Sequence, residues 1–482
     1  MTQRVLVSML SLVWFKRDLR VGDHPALALA AAQGAVLPLY IIEPELWAQP
    51  DASARHWDFI AECLADLRRD LAALGQPLLL REGDAVTVLA RLRAKHRFAQ
   101  IVSHRDTGND WSRARDQRVA AWARDTGLPW IEVAQPGVGS GDADPVTADV
   151  GALPPVAEGT GVLPSARSLK LPEDRCDFRQ KGGREAGLAA MQGFLETRAL
   201  AYPAALSSPM IAERSSSRLS PYLALGALSL REVTQASAQE KARRRGQMRW
   251  SQSLRRFEQQ LAARDHCVQS RIAGVDRAEA QHQSQHQSPH QTRHLHRGAT
   301  DGTRLQAWVA GETGLPFVDA SMRYLRATGW LNARMRGMLQ AVASHHLWLD
   351  WQVTGLHLAR SVTDYDPCIH WPQVQICAGI GNAATPRIHD PIKQGIEQDP
   401  KGEFIRRWLP ELSPLPDRFL HEPWKYPPAR PLLAGRYPEP IIDPAAAARQ
   451  ARAVFARLRA PRAAPQTARR TTVSAAQMWL DL

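Results

Sequence analysis

The sequence predicts an α/β domain built on a doubly wound parallel sheet, followed by an all-α helical domain. Three observations predict it. Up to about residue 135, short apolar runs alternate with longer amphipathic stretches. From 136 to 182 the chain is rich in Gly, Pro, Ala and Asp, as a surface linker should be. Beyond that, strand-like runs almost vanish and long helical stretches take over. Strands buried on both faces read as continuous apolar runs, and their alternation with helices marks a parallel sheet.

The strand candidates are VLVSMLSLVWF (5–15), AVLPLYII (35–42), PLLL (77–80), AQIVSH (99–104) and PWIEV (129–133). Between them lie amphipathic stretches such as ARHWDFIAECLADLRRDLAAL (54–74) and SRARDQRVAAWARD (112–125). No G-x-G-x-x-G follows the first strand, so a dinucleotide site of that type is not indicated. The expected division is an α/β domain over 1–135, a linker over 136–185, a helical domain over 186–430 and a C-terminal extension over 431–482. In the helical part, FVDASMRYLRATGW (317–330) and ARMRGMLQAVASHHLWLDW (333–351) carry the pattern. The segment 280–298 holds His282, His286, His290, His294 and His296. A spacing of four would align imidazoles for a metal, but Pro289 and the Gln/Ser background predict a loop, and no metal site is expected. The tail from about 444, rich in Ala, Arg and Pro, reads as a frayed basic extension.

With 482 residues, 44% apolar and 23% charged, the chain reads as soluble and globular. Its net charge of +13 fits an Arg-rich surface or, more sharply, an acidic partner with nucleic acid first. None of the five cysteines forms a C-x-x-C pair, which argues against a zinc ribbon or a spaced iron–sulfur motif and suits a reducing cytoplasm. The apolar start resembles a signal peptide faintly, but KRDLR follows it instead of a cleavage site, so it reads as a buried strand. No apolar run reaches the ~18 residues of a membrane span.

Four blocks carry chemistry. WFKRDLRVGDHPAL (14–27) is, on its own, a buried strand and a charged turn. SSSRLSPYLALGALS (215–229) sets Ser216, Ser217 and Ser220 around Leu219. Hydroxyls and free N–H groups at a helix start suit a phosphate, and equally a simple Ser cap. Arg264, in the string ARDH, offers a charged fork of donors. GWLNARMRGML (329–339) and DYDPCIHWPQVQ (364–375) supply Arg336, Asp364 and Asp366. Carboxylates so spaced serve acid/base work, a metal or merely the surface. The fourth block is GEFIRRWLPEL (402–412) with HEPWKYP (421–427).

Together these blocks resemble the DNA photolyase/cryptochrome family, outside its iron–sulfur subgroup, from about residue 5 to 430. The resemblance implies that the helical domain binds FAD. It implies Ser216, Ser217, Ser220 and Arg264 at the pyrophosphate, the pair Arg336–Asp364 beside the flavin ring and Asp366 at the ring's polar edge. Tyr202, Leu219, Phe257 and Asn332 fall in the same binding set, and His370 faces flavin N5. Gln260 and Arg334 fall on the substrate side, where damaged DNA is the implied partner. A second, antenna chromophore is left unassigned.

The chain departs from the family at telling places. His370 stands where photolyases usually carry Asn, and an imidazole with a pKa near ~6.5 could give a proton or simply fill space. The three electron-relay Trp positions are Val374, Trp351 and about Gly298, so Trp351 alone remains, with Trp371 and Trp348 near enough to suggest another path. In the lesion pocket Gln260 replaces Glu, and Ala263 and Ile376 replace stacking Trp residues. Asn332 and Ala333 replace a His-Asn pair, and the adjacent His residues typical of (6-4) photolyases are absent. Losing a stacking platform costs roughly 1–3 kcal/mol per base. In DTGNDWSRARDQRV (106–119) Ser112 stands where a folate antenna needs an acidic residue, so no folate is assigned. The family default is a light-driven DNA repair lyase of the deoxyribodipyrimidine photolyase type, using electron transfer from reduced FAD, with Trp351 and His370 as its catalytic residues. The alternative is a cryptochrome-like photoreceptor that signals to a protein partner. A DNA-binding module without light chemistry fits least, because the flavin set is intact.

Overall fold

The structure is a computed structural model and describes residues 9–140, 156–273, 301–380 and 388–459. Five strands form one parallel sheet: β1 (Ser11–Phe15), β2 (Val36–Ile42), β3 (Leu79–Glu82), β4 (Gln100–His104) and β5 (Trp130–Val133), in the order β3-β2-β1-β4-β5. Both faces are buried, as the apolar runs required. Leu12 and Trp14 point into one core and Val13 and Phe15 into the other. The third strand lies further along than PLLL. Pro77 has no N–H to give the ladder, and pairing begins at Leu39 against Leu79. The crossover helices are α1 (Pro25–Ala31), α2 (Ala54–Ala73), α3 (Ala85–His96) and α4 (Asp110–Asp125). Because the chain winds outward from β1 in both directions, a crevice opens at the C-terminal ends of β1 and β4, where such sheets bind ligands.

The described part of the linker is pinned to this domain. Thr160 O accepts from Leu80 N at 2.8 Å, Pro164 O accepts from the Trp57 indole at 2.9 Å, and Asp174 receives Arg55 Nε at 2.6 Å. The helical domain then follows: α5 (Arg184–Glu196), α6 (Leu230–Arg243), α7 (Met248–Ile272), α8 (Gly302–Ala310), α9 (Pro316–Thr328), α10 (Ala333–His345), α11 (Trp351–Ser361), α12 (Pro367–Cys377), α13 (Pro391–Gln398), α14 (Glu403–Trp408) and α15 (Pro444–Arg459). The expected frayed tail is corrected over 444–459. There α15 buries Ala447, Ala448, Ala451 and Phe455, and Phe455 meets His345 of α10 edge-on at 5.2 Å. The helical unit therefore continues past residue 430. The histidine-rich segment 280–298, Gly298 included, lies outside the described residues.

Buried polar contacts close the junction between the domains. Leu19 N donates to Leu225 O at 3.1 Å and Arg20 Nη1 to Gly226 O at 2.9 Å. Gly226 has φ +62°, and a Cβ there would sit 2.4 Å from Arg17 O, so only glycine allows this approach. Asp23 accepts from Ser229 and Arg231 of the helical domain. Ser229 and Glu232 also form a capping box at the start of α6.

Candidate functional site

In the helical domain the fold gathers residues that lie far apart in sequence. Asp366 caps α12 through Cys368 N at 3.2 Å and receives Arg264 Nη2 of α7 at 2.5 Å. Asp364, two residues earlier, receives Arg336 Nη2 of α10 at 2.8 Å, and Arg336 Nε donates to Leu331 O at 2.9 Å. Burial alone would raise the Asp364 carboxyl. The Arg336 charge and hydrogen bonds from Arg336 and Ser220 outweigh it and hold the group below its ordinary value. By resemblance Arg264 belongs at the phosphates and Asp366 at the ring edge, two separate parts of one ligand. Their direct pairing shows the two positions to be adjacent.

Other expected residues surround this pair of ion pairs. Leu219 is buried at the cap of the short helix Ser220–Ala224, and Ser216, also buried, ends the preceding helix Pro209–Ser215. Ser217 Oγ lies 3.5 Å from Leu219 N. Tyr202 and Phe257 pack edge-on at 5.7 Å, each also against Phe194. Asn332 caps α10, its Oδ1 accepting from Met335 N at 2.9 Å. Its Nδ2, like Gln260 Nε2, is buried with no hydrogen-bond partner. A buried amide donor without a partner costs about 1–3 kcal/mol, so both call for an acceptor from a bound group. Paired charges, spare donors and aromatic packing together suit a large polar heteroaromatic ligand of the FAD kind. Arg334 is half-exposed and pairs with Glu397 at 3.5 Å. Ala263 is buried and Ile376 half-buried.

His370, on α12, presents Nε2 to Gly355 O at 2.9 Å, which fixes the proton on that nitrogen. The expectation of an imidazole near its ordinary pKa is corrected. Burial pulls it down to about 4, the Gly355 contact opposes this only in part, and the Arg336 charge adds to the fall. The resting ring is neutral across physiological pH. Trp371 packs edge-on against His370 at 5.2 Å and Trp351 edge-on against Trp371 at 6.2 Å. A Cβ on Gly355 would meet Trp371 Cζ3 at 2.8 Å, so this glycine is what lets the indole lie against α11. Val374 is buried beside them and carries no ring.

A separate cavity lies between the C-terminal edge of the sheet and segment 363–367. Trp14, Tyr40, Glu43, Trp47, Asp106, Ser112, Arg115 and Tyr365 are among its lining residues. Arg115 is buried and reaches Asp106 at 2.5 Å, Glu43 at 2.6 Å and Asp116 at 2.9 Å, with its guanidinium 4.8 Å from the Trp14 ring centre. Burial lifts Glu43 to about 7 despite Arg115, and its Oε1 is buried without a partner. Sequence reasoning found Ser112 here but missed Glu43, Arg115 and Tyr365. Glu43 directly after a buried strand was the available signal, because α/β sheets hold ligands just past strand ends.

Among the described residues, Asp18, His24 and His104 are close enough to hold a metal. Their hydrogen bonds give them another role. His24 Nδ1 accepts from Leu27 N at 2.9 Å, so Nε2 carries the proton that reaches Asp18 at 2.9 Å, and His104 Nδ1 meets the same oxygen at 2.7 Å. Burial opposes ionisation of Asp18, but these imidazoles win and hold it well below the carboxylate range. The cluster anchors the turn after β1 to β4.

Two family models match the chain: DNA photolyase over residues 11–138 and the FAD-binding domain of DNA photolyase over 257–457. A deoxyribodipyrimidine photo-lyase from Vibrio cholerae is 30% identical over 471 residues, covering 90% of this chain and 96% of that one. A cryptochrome DASH from Natronomonas pharaonis is 27% identical, covering 90% and 98%. A class III photolyase from Agrobacterium tumefaciens superposes with a TM-score of 0.79 at 25% identity, covering 95% of this chain and 98% of its own. No described helix is long and apolar enough to cross a membrane. By sequence match and by fold, the chain belongs to the DNA photolyase/cryptochrome family.

Proposed function

We propose that this protein binds FAD in the helical domain and uses blue light to repair pyrimidine dimers in DNA. The observation that carries the reading is the buried set Arg264–Asp366 and Arg336–Asp364 with two unpartnered amide donors, Gln260 Nε2 and Asn332 Nδ2. Bound FAD would supply light absorption and one-electron chemistry. Ser216, Ser217, Ser220 and Arg264 would hold its phosphates, Arg336, Asp364 and Asp366 its ring, with Tyr202, Leu219 and Phe257 as apolar support. His370 would offer a neutral imidazole near the ring. Trp371 and Trp351, in edge-on contact, would form the electron path in place of the family's relay. The net charge of +13 supports DNA as partner, and five free cysteines support a cytoplasmic setting.

One observation favours a second reading, a photoreceptor without repair. Ala263 and Ile376 offer no stacking face where a flipped base would lie, and Gln260 cannot donate a proton as Glu can. A protein partner would then read the light signal. Blue-light repair of oligonucleotides carrying cyclobutane or (6-4) lesions, scored separately, distinguishes the two. Repair of either lesion supports a photolyase, and flavin photoreduction with no repair of either supports a photoreceptor. The interdomain cavity, aromatic on one side and carrying the spare carboxylate oxygen of Glu43, is our candidate for a second, light-harvesting chromophore.

A further inference from the structure

Tyr365 sits between the two sites. Its side chain lines the interdomain cavity, and its hydroxyl donates to Asp51 Oδ2 at 2.7 Å. The same hydroxyl oxygen accepts from Trp371 Nε1 at 3.1 Å. A hydrogen-bonded line therefore runs from the indole beside His370 to a buried carboxylate of the α/β domain. Asn109 Nδ2 steadies that carboxylate at 3.2 and 3.1 Å.

We propose that Tyr365 is the terminal electron donor to the Trp371–Trp351 pair and that Asp51 takes the phenol proton as the electron leaves. It rests on the flavin reading above, in which bound FAD would supply the one-electron oxidation of Trp371 under light. In the step itself the Trp371 radical cation takes one electron from Tyr365, and the phenol O–H breaks as the proton crosses to Asp51. Neutral Trp371, a neutral tyrosyl radical and a protonated Asp51 remain, so charge and electrons balance. A small thiol in solution returns the electron, and Asp51 returns the proton.

Two physical arguments favour this order. An oxidised indole leaves a positive charge on a half-buried ring whose N–H faces the neutral Tyr365 hydroxyl, and a charge partly withdrawn from water is costly. The Tyr365–Asp51 pair ends the step with no charge on either partner. Burial, followed by the Asp51 charge, pushes the resting phenol far above its ordinary pKa, so its proton is in place until the electron goes. The neighbouring bases are not available for that proton. His56 stacks on Tyr365 at 5.6 Å, but its Nε2 donates to Val362 O at 2.7 Å and burial holds it at about 4. His370 meets the ring edge-on at 5.4 Å with its own Nε2 proton turned to Gly355.

The test needs no flavin. Flash-quench oxidation of the full chain by a ruthenium polypyridyl photosensitiser, read by electron paramagnetic resonance, should give a tyrosyl radical in the wild type. Tyr365→Phe should lose it and leave a tryptophan radical. Asp51→Asn, which keeps the shape but not the base, should also lose most of the tyrosyl signal, and D2O should slow its appearance in the wild type. A tyrosyl signal that survives both substitutions, or a wild type that yields only a tryptophan radical, overturns the proposal. The same spectra under blue light on FAD-loaded protein test the flavin reading separately. A chain that takes up no FAD refutes that reading while the flash-quench result stands.

Discussion

Two clusters of buried charge flank segment 363–367, and they are balanced differently. On the sheet side one guanidinium, Arg115, faces three carboxylates, and one of these, Glu43, sits near neutral pH. On the helical side each guanidinium has its own carboxylate, Arg264 with Asp366 and Arg336 with Asp364, and the spare polar atoms include two amide donors, Gln260 Nε2 and Asn332 Nδ2, and one acceptor, Asp364 Oδ1. The first arrangement responds to protonation. The second has matched charges and offers both donors and an acceptor to a polar ligand, as a permanent cofactor site should.

The two clusters should differ most in what they contribute to stability. Arg115→Ala leaves Glu43 and Asp106 without their cation, while Asp116 keeps Lys16 at 3.0 Å, and breaking a buried pair costs about 3–5 kcal/mol. Denaturant unfolding should show that loss, and a change below ~1 kcal/mol would mean that water reaches the cluster. Asp364→Asn should cost less, about 1–3 kcal/mol, because Arg336 keeps its bond to Leu331 O. It should also lower the flavin content of the purified protein, measured from absorbance.

The next effect is on pH. Glu43 is raised from 4.5 to about 7, so the folded state keeps a proton that the unfolded chain has released. Its contribution to stability is complete below the unfolded pKa and is lost as pH rises through the folded one. Stability should fall across that window by up to about 1.4 kcal/mol per pH unit, and Glu43→Gln should remove that component. His104, drawn down from 6.5 to about 4 by burial, has the opposite sign and loses stability as pH falls. The difference between wild type and variant isolates Glu43 from it. Identical pH profiles would place Glu43 in solvent.

The smallest structural disturbance probes the helical side. Trp351→Phe and Trp371→Phe should each slow light-driven flavin reduction with flavin content unchanged, Trp371 more, since it touches both His370 and Trp351. His370→Asn should alter which flavin radical accumulates without changing its pH dependence between ~5 and ~8, because the imidazole is already neutral there. Equal rates in both Trp variants and wild type would remove the proposed path.

The fold was legible where the pattern is local. VLPLYII and the stretch 54–74 became a strand and a helix within a residue or two of their expected ends. The C-terminal helix was not, because small residues carry its buried face: three alanines and one phenylalanine look like a low-complexity tail. In the site, the motif residues Arg336, Asp364 and Asp366 were legible by resemblance. The contact of Arg264 with Asp366 spans 102 positions and that of Arg115 with Glu43 spans 72, and no local pattern encodes such pairs. The His370 shift was hidden for another reason: it comes from burial and from the Arg336 charge on a different helix, against the Gly355 contact, and not from the residue itself.

A tightly held FAD in the helical domain would show directly in the absorbance spectrum of the purified protein. The expected result is a yellow protein that releases FAD on denaturation, with flavin content falling in Arg264→Met and Asp364→Asn. A folded, colourless protein that takes up no FAD on reconstitution would contradict it.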